Sequence, residues 1–196
     1  MKRAGIFMLV SIATHVLVLA GQSLSARIDR DQLRVLAPRL HFLVGEPLTR
    51  LRNGATVNYE FQLVLRADRN SRPVARVQQR FAVSYDLWEE KFAVTRLAPA
   101  PRSVSHLSTA AAEAWCVDNV SMSATALAPE QPFWLRLDFR TEDPSDSTNQ
   151  SEYTGMTLSA LIDIFSRRSR GEQLRGYDEV GPLRLADLRK KSTGTK

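Results

Sequence analysis

Between residues 56 and 97, apolar and polar side chains alternate with period two through three successive segments, TVNYEFQLVLRAD, PVARVQQRFAVSYD and KFAVTRL. In the first, Val57, Tyr59, Phe61, Leu63 and Leu65 share one face, and Asn58, Glu60, Gln62 and Arg66 share the other. A strand turns successive side chains to opposite faces, so this spacing predicts a sheet with one dry and one wet side. The second segment repeats it, with Val77, Phe81, Val83 and Tyr85 inward against Arg76, Gln78, Arg80 and Ser84. Strands buried on both faces read as continuous apolar runs, so the alternation points to an antiparallel meander.

The flanks extend the pattern. Residues 27–31 read as an extended, charged lead-in, and 33–43 as a first strand interrupted at Pro38, hence an edge or bulged strand. GEPLTRLRNG predicts a short helix, with Pro47 in its first turn and Gly54 at its exit. DRNSRP reads as a surface loop, DLWEE as a short hairpin turn with Trp88 at its tip, and APAPRSVS as a loop. A helix is expected over 108–116, capped by Ser108, with Leu107, Ala111 and Trp115 as its docking stripe. Val120, Met122, Ala124 and Ala126 then alternate with serine and threonine as a fourth strand of the meander. After a proline-bearing turn, Phe133, Leu135, Leu137 and Phe139 alternate with Trp134, Arg136, Asp138 and Arg140. The expected fold is mainly β: an antiparallel meander or β-sandwich of about six strands with one packed helix.

Beyond residue 141 the chain turns acidic and serine-rich (TEDPSDSTNQSEY), which reads as a flexible linker. Leu158, Leu161, Ile162 and Phe165 follow at i, i+3, i+4 and i+7, the spacing of an amphipathic helix, with Thr157 as its cap. Arg167, Arg168 and Arg170 come next, where the helix dipole favours cations. The remainder is too polar and glycine-rich to fold alone. The expected organisation is therefore 1–26 as export signal or anchor, 27–142 as β domain, 143–156 as linker, and 157–196 as amphipathic helix and basic tail.

Residues 1–26 place Lys2 and Arg3 before an apolar stretch over 4–20 and a small-residue exit over 23–26, the layout of an export signal cleaved near Ser25 or Ala26. An uncleaved anchor in the inner membrane is the alternative, and either reading puts the body in the periplasm or cell envelope. The net charge of +6 does not change this picture, because residues 166–196 carry nine basic and four acidic side chains. Residues 27–165 hold 16 basic against 17 acidic, so no nucleic-acid partner is expected.

Candidate chemistry is sparse. Cys116 is a lone cysteine beside Trp115 and Val117, read as a buried apolar residue rather than a reactive thiol. His41 and His106 show no ligand or triad spacing, no metal or cofactor is expected, and the chain reads as no enzyme. Two features remain. Trp88 and Trp134 fall on polar positions and are candidate anchors, unless the lead-in or the C-terminal helix covers them. Leu158, Leu161, Ile162 and Phe165 with Arg167, Arg168 and Arg170 suit an anionic membrane, a partner's groove, or packing back on the sheet. The expected function is a non-catalytic, exported interaction or envelope-associated protein. A carrier of a lipid or other apolar ligand is the alternative, and an exported hydrolase with a dispersed triad is further off.

LTRLRNGATVNYEFQLVLR, SYDLWEEKFAVTR, SHLSTAAAEAW and PEQPFWLRLDFR, taken in this order, resemble a bacterial domain-of-unknown-function family of small exported, mainly β proteins. The resemblance covers residues 34–140. It implies an exported β protein and brings no catalytic residues with it.

Overall fold

The computed structural model describes residues 24–125, 127–142 and 173–193. In chain order these form β1 (Ser25–Asp29), β2 (Gln32–Leu36), α1 (Gly45–Arg52), β3 (Val57–Arg66), β4 (Pro73–Asp86) and β5 (Lys91–Arg96). There follow β6 (Arg102–Leu107), α2 (Thr109–Asp118), β7 (Ser121–Ser123), β8 (Phe133–Thr141), β9 (Arg175–Leu183) and α3 (Leu185–Thr193). The strands make two antiparallel sheets, β6-β5-β4-β3-β8-β9 and β1-β2-β7, in a β-sandwich-like arrangement.

The two long alternating runs land as expected. Val57, Tyr59, Phe61, Leu63 and Leu65 of β3 are buried, as are Phe133, Leu135, Leu137 and Phe139 of β8, so the inner face of the large sheet is continuous. The small sheet adds Ile28, Leu33, Val35 and Met122, and the segment between β2 and α1 adds Phe42 and Leu43. Phe42 meets Tyr59 and Phe61 edge-on at 4.9 and 5.0 Å between centroids, and Phe61 meets Phe81 at 5.6 Å. Edge-to-face packing of this kind adds about 0.5–1.5 kcal/mol per pair beyond burial. α1 ends as its sequence predicts: Gly54 sits at φ +84°, Gly54 N–H donates to Leu51 and Ala55 N–H to Arg50, which closes a Schellman motif.

Other expectations shift. Residues 120–125 do not extend the meander; β7 is short and pairs with β2 in the small sheet, although Val120, Met122 and Ala124 are buried as their spacing requires. Alternation fixes which face is dry but not which strand lies alongside. Ala126 lies outside the described residues. Residues 102–105, read as the end of a loop, instead lie in the edge strand β6, whose apolar side is only Val104 and Leu107 and whose pairing to β5 is bulged. The buried side of α2 is Ala112, Glu113, Cys116 and Val117, one residue on from the expected stripe, because the Glu113 carboxylate is hydrogen-bonded inside.

Both boundaries of the β domain move outward. The extended lead-in read over 27–31 is extended over 27–29 but belongs to strand β1, which starts at Ser25 and pairs with β2, and Leu24, expected to leave with the export signal, is fully buried. Cleavage after Ser25 would therefore take a core residue with it. At the other end, β9 pairs with β8, and Val180, Leu185 and Leu188 join the core, so residues 175–193 belong to the fold rather than to a basic tail. Gly176 and Gly181 are packing necessities there. A Cβ at Gly176 would lie 2.6 Å from the Phe139 ring, and one at Gly181 would lie 2.5 Å from the Trp134 ring. The expected linker over 143–156 and the amphipathic helix after it lie outside the described residues.

Candidate interaction site

The β4–β5 turn presents the most exposed large hydrophobic side chain of the described residues. Asp86 pairs with Lys91, leaving Leu87, Trp88, Glu89 and Glu90 as the turn. Asp86 Oδ1 accepts from Trp88 N–H at 2.8 Å and from Glu89 N–H at 3.1 Å. These backbone bonds, Glu89's first and Trp88's second, hold the Asp86 carboxyl below the ordinary carboxylate range. Glu90 closes the turn at φ 54°. The side of the turn is braced from β6: His106 Nε2 lies 2.9 Å from Glu89 Oε2, and its Nδ1 lies 2.9 Å from Ser105 Oγ. His106 itself is at φ 62°, a left-handed conformation that a non-glycine residue adopts at a cost and that surrounding contacts must hold.

On this pinned turn Trp88 is 96% exposed and Leu87 56% exposed. Among the described residues nothing covers Trp88, and the amphipathic helix expected to follow Thr157 lies outside them. Trp134 behaves differently. It is half-buried, its ring lies against the backbone at Gly181, and the Arg69 guanidinium stands 5.6 Å from its centroid. The register also separates the two tryptophans. Trp134 is level with Arg66 and Pro73, whereas Trp88 lies beyond Asp86 at the far end of β4, about 40 Å away along the strands. They therefore make no common patch. Leu158, Leu161, Ile162, Phe165, Arg167, Arg168 and Arg170 lie outside the described residues.

Both described histidines are engaged by carboxylates, which the sequence did not signal. Glu113 is 5% exposed; its Oε1 accepts from Phe42 N–H at 2.8 Å and Leu43 N–H at 2.9 Å, and its Oε2 lies 2.9 Å from His41 Nδ1. This carboxylate holds the irregular segment that carries Phe42 into the core. The Ser105–His106–Glu89 contacts place serine at Nδ1 and carboxylate at Nε2. That is the reverse of a triad, in which the carboxylate orients Nδ1 so that Nε2 activates the serine. Cys116 is fully buried, and burial followed by the nearby Glu113 charge pushes its thiol pKa up, keeping it protonated.

Among the described residues no three His, Cys, Asp or Glu side chains converge as metal ligands, and no helix is long and apolar enough to cross a membrane. In comparisons with known proteins, no family model matches the chain, and no curated protein or solved structure matches it significantly.

Proposed function

We propose that this chain is an exported, non-catalytic interaction module of the bacterial cell envelope, docking a partner through the β4–β5 turn. The reading keeps the export signal and the resemblance to small exported β proteins as parts of the same proposal. The observation that carries it is Trp88, fully open on a turn whose backbone is already fixed by Asp86 and braced by His106. A rigid aromatic anchor loses little conformational freedom on binding, and residues of this type dominate interface energetics. Leu87 widens the apolar contact, while Glu89 and Glu90 give it an acidic rim. The packed rings of Phe42, Tyr59, Phe61 and Phe81 occupy the space between the sheets that an apolar cargo would need, which weighs against the carrier reading.

The test is a comparison of Trp88→Ala with the unaltered protein. Stability should change by less than about 0.5 kcal/mol, since the side chain buries almost nothing. Partner capture from the envelope fraction should fall at least tenfold, the effect of losing about 2 kcal/mol at an interface hot spot. Undiminished capture by a folded Trp88→Ala protein would reject the turn as the docking site.

A further inference from the structure

The outer face of the six-stranded sheet is the second surface without a described layer over it, and its chemistry is unlike that of the turn. By register, Arg76, Val64, Arg136 and Glu179 form one row across β4, β3, β8 and β9. The next rows are Gln78, Gln62, Asp138 and Tyr177, then Arg80, Glu60, Arg140 and Arg175. Successive rows are about 7 Å apart, so the cations of one strand, Arg76 and Arg80 or Arg136 and Arg140, are about 13 Å apart, with neighbouring strands about 5 Å from each other. Arg136 stacks on Tyr177 at 4.0 Å from its centroid, and Tyr177 remains 61% exposed. Arg80 is held by Glu142, Arg140 by Glu60, and Arg136 by Asp138. Arg76 and Arg175 make no ion pair among the described residues, and at the Arg76 end the Arg66 Nε–H is buried without a partner.

Arginine thus outnumbers carboxylate on this face, yet Glu60, Asp138 and Glu179 are spaced among the arginines. A polyphosphate backbone, with one charge per unit and no compensating donors, would meet those carboxylates repulsively. A polyhydroxylated chain that bears carboxylates fits both kinds of group, because its hydroxyls supply the donors that a polyphosphate lacks. Its carboxylates match free guanidinium forks, its hydroxyls donate to Asp138 and Glu60, and the amides of Gln62 and Gln78 serve either role. An exposed tyrosine ring adds a flat apolar platform for a sugar ring.

We propose that the outer face of the large sheet binds an acidic polysaccharide, through Arg76, Arg175 and Tyr177 with Gln62 and Gln78, while Arg136 holds the Tyr177 ring in place. The proposal rests on the envelope reading above and names a second partner class for it. The test is retention of the full chain, purified in mild nonionic detergent, on immobilised polygalacturonate, with dextran and single-stranded DNA columns alongside. Retention on polygalacturonate that salt releases, little on dextran, and weaker retention on DNA are expected. Arg76→Ala combined with Tyr177→Ala, both at exposed positions, should bind polygalacturonate about tenfold more weakly with an unchanged circular dichroism spectrum. Trp88→Ala should bind as the unaltered chain does. Equal binding by the folded double variant would assign retention to the basic segments elsewhere and overturn the proposal. So would tighter retention on DNA, or retention on dextran equal to that on polygalacturonate. Cell fractionation tests the envelope reading separately, because retention in vitro does not depend on where the protein resides.

Discussion

Replacing Glu113 by alanine is the sharpest perturbation of this fold. The carboxylate accepts two hydrogen bonds from the buried N–H groups of Phe42 and Leu43, in a segment with no ladder of its own to satisfy them. Hydrogen bonds to a charged acceptor contribute about 1.5–3 kcal/mol each, and a buried donor left unpaired costs about 1–3 kcal/mol. Relief of the buried charge offsets part of this. The net expectation for Glu113→Ala is a loss of about 3–5 kcal/mol. Glu113→Gln keeps a carbonyl oxygen at the same place, so it should cost only about 1–2 kcal/mol. His41→Ala removes a partner whose side chain is 63% exposed, and an exposed pair contributes less than about 1 kcal/mol. Urea unfolding followed by circular dichroism reads all three midpoints, and a thermal melt should show Glu113→Ala lowered by roughly 10 °C. The order alanine, glutamine, His41→Ala is the signature of backbone bracing. If Glu113→Ala and His41→Ala prove equally mild, the carboxylate is not what holds Phe42 in the core.

Three further outcomes are expected. Gly181→Ala should destabilise the protein by about 1–3 kcal/mol in urea, because its Cβ would meet the Trp134 ring, and should expose the β9 amides to faster hydrogen exchange. Asp86 has a folded pKa below its unfolded value, so its bracing of the turn is fully present above the ordinary carboxylate pKa and is lost as pH falls through the depressed one. The Trp88 and Glu89 amide resonances should accordingly titrate below about 3.9, and a midpoint at or above that value would contradict the bonding at the turn. Cys116 should resist iodoacetamide in the native protein at pH 8 and react promptly in urea, since burial both shields the thiol and keeps it protonated.

The strands that were legible are those that alternate over a long run and bury one face, β3 and β8 above all. Each of their inward positions could be assigned because period two leaves no other way to hide Phe61 or Leu137. What stayed illegible depended on neighbours distant in sequence. Met122 announced its buried face but not that β2, some ninety residues earlier, would lie beside it. In β9, glycine and proline read as breakers, yet Gly176 and Gly181 are there because the rings of Phe139 and Trp134 leave no room for a Cβ. The inward turn of Glu113 was hidden for a related reason: a charged residue on a helix reads as solvated until the backbone donors that meet it are known. At the candidate site the exposed position of Trp88 could be read from its turn. The bracing that makes it an anchor could not, because the Asp86 bonds to Trp88 and Glu89 N–H depend on how the turn closes, and His106 reaches it from β6, a strand the sequence did not announce.

The central claim is that Trp88 meets a specific partner in the cell envelope. A photo-crosslinking amino acid placed at position 88 in living cells tests it most directly, with position 131, also exposed, as control. The account predicts a discrete cross-linked adduct in the envelope fraction from position 88 and none from position 131. No adduct from position 88, or the same pattern from both, would contradict it.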